Sequence, residues 1–194
     1  MTSRTHDAFA FASLVTVAAF YPPVSLNLAT LAVSIIGADI GALIPDMDGA
    51  GNRLWDLLPA GHSVGKILRR VFYKHRTLTH SLIGVYGIYK LLEWVLVKLL
   101  NPAFLDERIV LASIMIGYLS HLLADSLTEE GVPLLFPINI SFGIPPIRRF
   151  RIKTGKWFEN IVVYPVVWIY LIWFINANQS DLIKVVEAIS KPHY

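Results

Sequence analysis

The stretch Ile109-Val110-Leu111-Ala112-Ser113-Ile114-Met115-Ile116-Gly117-Tyr118-Leu119-Ser120-His121-Leu122-Leu123-Ala124-Asp125-Ser126-Leu127 is apolar for long enough to cross a bilayer, yet it closes on an imidazole and a carboxylate. A helix needs about 20 residues to span the hydrocarbon, with a range of about 17 to 25. His121 and Asp125 stand four apart, so on a helix they share one face. Ionisable groups are costly at membrane depth and mark a functional site by default. The pair reads either as a buried hydrogen-bonded couple or as a ligand with its partner.

Working outward, further apolar runs occupy 8–20, 24–44, 80–100 and 161–176. Those at 24–44 and 80–100 reach spanning length, while 8–20 and 161–176 are short. Pro22-Pro23 breaks any continuous helix and turns the first run back on the second as a helical hairpin. Composition agrees, since 55% of the 194 residues are hydrophobic and only 16% charged, where a soluble domain carries about a quarter. The expected fold class is all-α: a polytopic membrane bundle of about five helices, in a single integral-membrane domain over 1–194. Gly37, Gly41, Gly84, Gly87 and Gly117 fall inside these runs, and small residues let membrane helices approach closely.

The net charge of +3 is too small and too scattered for nucleic-acid binding. The absence of cysteine excludes disulfides, thiolate catalysis and cysteine-based zinc sites. His6-Asp7 before the first run and Tyr21-Pro22-Pro23 after it do not resemble a cleavable signal peptide. Basic residues collect in 45–79 (Arg53, Lys66, Arg69, Arg70, Lys74, Arg76) and in 128–160 (Arg148, Arg149, Arg151, Lys153, Lys156). With five spans both segments lie on one side, which the positive-inside rule makes cytoplasmic. The N-terminus is then inside as well.

This topology has a consequence for the remaining polar groups. His6 precedes the first helix, Asp46 and Asp48 follow the second, His75 and His80 precede the third, and His121 and Asp125 end the fourth. All should meet at the cytoplasmic ends of the helices. Each has a plainer reading: Pro45-Asp46-Met47-Asp48-Gly49 as a helix stop and turn, Thr79 or Ser81 as a helix cap, His6 as a mobile terminal residue. His62 and His193 are read as loop and chain-end residues, and Asp39, inside the second helix, requires a partner.

In this order the clusters resemble a known pattern: an early His, Gly-x-x-x-Pro-Asp-x-Asp, His-Arg-x-x-Thr-His-Ser, and Gly-Tyr-x-x-His-x-x-x-Asp. Here they stand as His6, Gly41 to Asp48, His75-Arg76-Thr77-Leu78-Thr79-His80-Ser81, and Gly117 to Asp125. The chain resembles the LexA-binding, inner-membrane-associated metal-dependent hydrolases of the YdjM type, with the metal-site motifs within 1–140. The Pro-Asp and Thr-His elements are also similar, more remotely, to zinc-dependent phospholipase C proteins.

The resemblance implies a divalent metal centre of one or two ions, Zn foremost, with Mn, Fe or Mg as other candidates. Its candidate ligands are Asp46, Asp48, His80 and His121, then His6, His75 and Asp125. A metal-activated water would attack a phosphoryl or acyl centre. His75, Arg76 and Asp125 are the candidate catalytic groups: Asp125 orients His121 and Arg76 clamps a phosphate oxygen. Thr79 and Ser81, with Arg76, anchor the site or the substrate. The expected partners are membrane lipid and an amphiphilic, phosphate-containing substrate. The alternative is an integral-membrane metal-binding, transport or regulatory protein without hydrolase activity. Pro59-Ala60-Gly61-His62-Ser63 with His121-x-x-x-Asp125 is faintly similar to metal-free phosphatidic-acid phosphatases, but Leu119-Ser120 lacks the arginine that family requires.

Overall fold

A computed structural model describes residues 1–47, 78–138 and 140–189. Among these residues the chain is all-helical, with no strand. Six α-helices follow one another: α1 (Ser3–Phe20), α2 (Leu28–Leu43), α3 (Leu82–Leu99), α4 (Glu107–Ser126), α5 (Tyr164–Ala177) and α6 (Gln179–Ile189). Side chains cap three of them. Asn27 Oδ1 accepts from Thr30 N at 2.6 Å, Ser81 Oγ from Gly84 N at 3.0 Å, and Asp106 Oδ1 from Arg108 N and Ile109 N at 2.9 and 3.2 Å. Each cap satisfies amide donors that have no partner inside the helix and contributes about 1 kcal/mol.

α2 and α4 run side by side in the same direction. Thr30 Oγ1 accepts from Asp106 N at 3.0 Å where they begin, and Ala42 meets His121 where they end. Between these points the two backbones touch. A Cβ on Gly41 would fall on the carbonyl group of Ile114, and one on Gly117 on the carbonyl oxygen of Ala38. Around this seam lies a core of Leu43, Ile44, Val110, Ile114, Tyr118 and Leu122. α1 returns antiparallel to α4, with His6 beside Asp125, and packs on α2 after the turn at Pro22-Pro23. α5 lies along α1, where Thr16 Oγ1 meets Tyr170 OH at 2.9 Å and Phe20 meets Phe174 edge-on at 5.7 Å. A π-helical turn, Glu159–Val163, leads into α5 just before Pro165, which has no N–H for a regular helical bond.

Among the described residues, two helices are long and apolar enough to cross a membrane: α4, and the continuous helix Glu159–Ala177 that contains α5. The other expected spans fall short by that measure. α2 has 16 residues, α3 carries Lys90, Glu93 and Lys98, and the first turns of α1 hold Arg4, His6 and Asp7. α6 was not expected from the apolar runs, because its composition is mixed; its Ala188 carbonyl accepts from Leu26 N at 3.0 Å. Between α4 and the continuous helix that contains α5, the described residues form no helix longer than one turn. Val132 and Phe142 exchange both backbone hydrogen bonds at 2.7 and 2.8 Å, and Ile152 bridges to Leu127 and Glu129.

The glycine seam predicts a directed stability defect. Gly117→Ala should lower the thermal midpoint in detergent and cost about 1–3 kcal/mol, because the added methyl must push two backbones apart. Gly87→Ala, at a helical position with open space around it, should be neutral or slightly stabilising. Equal midpoints for the two variants would contradict the seam.

Candidate metal centre

Asp46 lies just past α2, His80 in the turn before α3, and His121 and Asp125 on the last two turns of α4. Each contributes one ligand atom to a group whose members all lie within 4.8 Å of one another. His80 Nε2 stands 3.6 Å from Asp46 Oδ1 and 3.7 Å from Asp125 Oδ2; His121 Nε2 stands 3.7 Å and 3.6 Å from the same two oxygens. Ligand atoms about 2.0–2.2 Å from a tetrahedrally bound ion are themselves about 3.3–3.6 Å apart. The four side chains are close enough to bind a metal ion.

The orientation of each ring supports the same reading. His121 Nδ1 lies 2.7 Å from the carbonyl oxygen of Ala42, which can only accept, so Nδ1 carries the proton and Nε2 turns its lone pair inward. His80 Nδ1 lies 3.2 Å from the Thr79 hydroxyl, which leaves Nε2 facing the carboxylates. Burial holds the pKa of His80 below its ordinary value of 6.5, so the imidazole is neutral and fit to ligate. His121 Nε2 and Asp46 Oδ1 are buried and have no hydrogen-bond partner among the described residues. Such an atom costs about 1–3 kcal/mol left as it is, and a cation between the two carboxylates would offset that cost. Asp46 is the least enclosed member, its side chain 31% exposed, whereas His80, His121 and Asp125 are fully buried.

His6 lies against the group rather than among the four converging atoms. Its ring stacks on His121 at a centroid distance of 3.7 Å, with the planes 7° apart, and its Nε2 is 3.3 Å from Asp125 Oδ1. The amino group of Met1 reaches the same oxygen at 2.5 Å. Thr79 and Ser81 are buried and hold the His80 turn. The Thr79 carbonyl accepts from the Tyr118 hydroxyl, and Ser81 Oγ caps α3 while donating to Leu78 O at 2.7 Å. Asp39 is not part of the group; it lines a cleft of about 420 Å³ with Arg4, Tyr164 and Trp168. Asp48, His75 and Arg76 lie outside the described residues, as do His62 and His193.

Glu159 plays a part that the sequence did not signal. Fully buried, it accepts from Thr2 N at 2.6 Å, Thr2 Oγ1 at 2.8 Å and Gly155 N at 2.7 Å. This ties the segment before α1 to the start of the last membrane-length helix, four residues from His6. Tyr118 was legible within the Gly117-Tyr118 motif but not as the donor that fixes the carbonyl beside His80.

Two sets of variants test the centre. Elemental analysis and competition titration should show that His80→Ala and His121→Ala each weaken metal binding by more than about 100-fold. His6→Ala should weaken it by about 10- to 100-fold, as outer partners of a metal site do. Glu159→Ala should lower unfolding free energy in detergent by roughly 2–3 kcal/mol, since hydrogen bonds to a charged acceptor are the strong ones. Unchanged stability would remove its role as a tether.

The YdjM inner membrane protein family matches residues 1–181. YvsG of Bacillus subtilis (strain 168) is 31% identical over 163 residues, which is 84% of this chain and 88% of YvsG. The inner membrane proteins YdjM of Escherichia coli (strain K12) and Shigella flexneri are each 37% identical over 108 residues. That is 56% of this chain and 51% of theirs, so the chain spans about half the length of those two relatives. No solved structure matches it. A match over nearly the whole chain, together with two helices of membrane length, leads to one conclusion: the chain belongs to the YdjM inner membrane protein family.

Proposed function

We propose that this protein is a membrane-bound, metal-dependent hydrolase that cleaves a phosphoester of a lipid or lipid-linked substrate at the cytoplasmic face. One observation carries the reading: two imidazoles and two carboxylates converge at the ends of apolar helices, with Asp46 on the accessible side. Asp46, His80, His121 and Asp125 would hold the ion. A divalent ion bound there would supply a Lewis acid, and zinc would bring the pKa of a coordinated water to about 7. Ala42 fixes the tautomer of His121, and Thr79 together with Tyr118 fixes the turn that carries His80. His6, stacked on His121 and close to Asp125, is placed to stabilise charge on that side of the cluster. Asp48 and His75, two and five residues from ligands in sequence, are candidates for a second ion or for proton transfer, and Arg76 for the clamp on a phosphate oxygen. Zn fits the donor set best, with Mn, Fe or Mg as alternatives.

A second reading has an observation of its own. Four protein ligands complete a tetrahedral shell, as in structural zinc sites, whereas a catalytic zinc has about three and an open position. The protein would then be a metal-binding, transport or regulatory protein of the inner membrane. Purified, metal-loaded protein tested on bis-p-nitrophenyl phosphate and on vesicles of phosphatidylglycerol separates the two. Hydrolysis predicts product release that a chelator abolishes, that added metal restores, and that falls by at least about 100-fold in His121→Ala. No release from either probe, or more than a tenth of wild-type turnover in His121→Ala, would overturn the hydrolase.

A further inference from the structure

The segment between Gly131 and Phe158 contains five Lys or Arg and no Asp or Glu. It leaves α4 just after Asp125 and enters the last membrane-length helix at Glu159, so it joins the same-side ends of the two candidate spans. That side is the one bearing the metal cluster. The segment is not a slack loop. Beyond the Val132–Phe142 and Leu127–Ile152–Glu129 bridges, the Arg151 guanidinium donates to the carbonyls of Gly143, Pro145 and Pro146 at 2.7–3.2 Å, and Ile144 N to Ser126 O at 2.8 Å.

On this braced frame large apolar side chains face outward. Ile147, Phe150 and Trp157 are 61%, 70% and 67% exposed, and Ile138 and Ile144 are similarly open. Between them stand Arg148, Arg149 and Lys156, all exposed and forming no ion pair among the described residues, while Lys153 reaches Glu129 only at 3.9 Å. In water such a surface would be an aggregation liability. Apolar and aromatic side chains interleaved with cations match the headgroup boundary of an anionic leaflet, where each basic residue gains attraction to lipid phosphate and the rings enter the acyl boundary. Uniform positive charge fits no other component of the bilayer as well.

We propose that residues 131–138 and 140–158 form an interfacial platform that inserts into the anionic phospholipid leaflet beside the candidate metal cluster and gathers phosphate-bearing headgroups there. The proposal rests on the membrane location of the family and is independent of the hydrolase reading, since its test involves no turnover.

The test has two arms. Wild-type protein and the variant Arg148→Gln/Arg149→Gln/Lys156→Gln are equilibrated in detergent with equimolar phosphatidylglycerol and phosphatidylcholine, and the retained lipids are counted by native mass spectrometry. Wild type should prefer phosphatidylglycerol by roughly tenfold or more. The triple variant should lose that preference, and Arg148→Lys/Arg149→Lys should keep it. In the second arm, Phe150→Cys supplies the chain's sole thiol, since the sequence has no cysteine. A bimane dye attached there should emit at shorter wavelength in phosphatidylglycerol vesicles, be quenched by brominated acyl chains and be shielded from aqueous iodide. This arm does not depend on the folding of the triple variant. Equal retention of both lipids by wild type, an undiminished preference in the triple variant, or a dye as open to iodide as free dye in solution would each overturn the platform.

Discussion

The contact between the α2 and α4 backbones at Gly41 and Gly117 is the constraint on which the rest depends. In lipid there is no hydrophobic gain in bringing two apolar helices together, because acyl chains are as apolar as leucine; close van der Waals packing at small residues does the work instead. The approach places the Ala42 carbonyl 2.7 Å from His121 Nδ1, which is too near for any intervening side chain. The same contact delivers Asp46, four residues beyond Ala42, to the face of α4 that carries His121 and Asp125. Backbone proximity thus sets both the tautomer of one candidate ligand, His121, and the position of another, Asp46.

Asp125 is the electrostatic hub. His6 Nε2 and the Met1 amino group stand near one of its oxygens, and His80 and His121 near the other. Gathering such groups away from water is costly unless charge is compensated. Of the two carboxylates, one buried and one half-buried, the buried Asp125 faces the Met1 ammonium, and a divalent ion between the two would offset the negative charge that remains. The Glu159 tether acts on the same assembly from the other side by fixing Thr2 and so the first turn of α1. The groups that close the cluster therefore also hold α1, α2 and α4 together.

Much of this was legible beforehand, for identifiable reasons. Hydropathy located α1, α2, α3, α4 and the last membrane-length helix, since long apolar runs have few alternatives. Counting Lys and Arg by segment oriented the helices relative to one another, so that His6, Asp46, Asp48, His75, His80, His121 and Asp125 were expected at a common end; the structure brings His6, Asp46, His80, His121 and Asp125 together there, while Asp48 and His75 lie outside the described residues. Span length was less legible: α2 and α3 sit in runs of spanning length, but the turn at Pro45 and the charges of α3 limit what qualifies. Glu159 gave no signal, because one glutamate at a helix start looks like ordinary capping until Thr2 is seen to fold over it. α6 was missed because its apolar residues form a stripe rather than a run.

The sequence by itself determined composition, the location of five of the six α-helices among the described residues and the identity of the chemically capable side chains, all of which are local or nearly local properties. Distances among residues as far apart as His6 and Asp125 are not local. Whether Asp125 binds its neighbour on the same helix, His121, or faces three other segments at once depends on how closely those segments can approach. That was decided by tertiary packing, through glycine positions whose missing Cβ atoms set the spacing of α2 and α4. The same packing sets His6, stacked on His121, beside the group of Asp46, His80, His121 and Asp125, a distinction that residue type and order cannot carry.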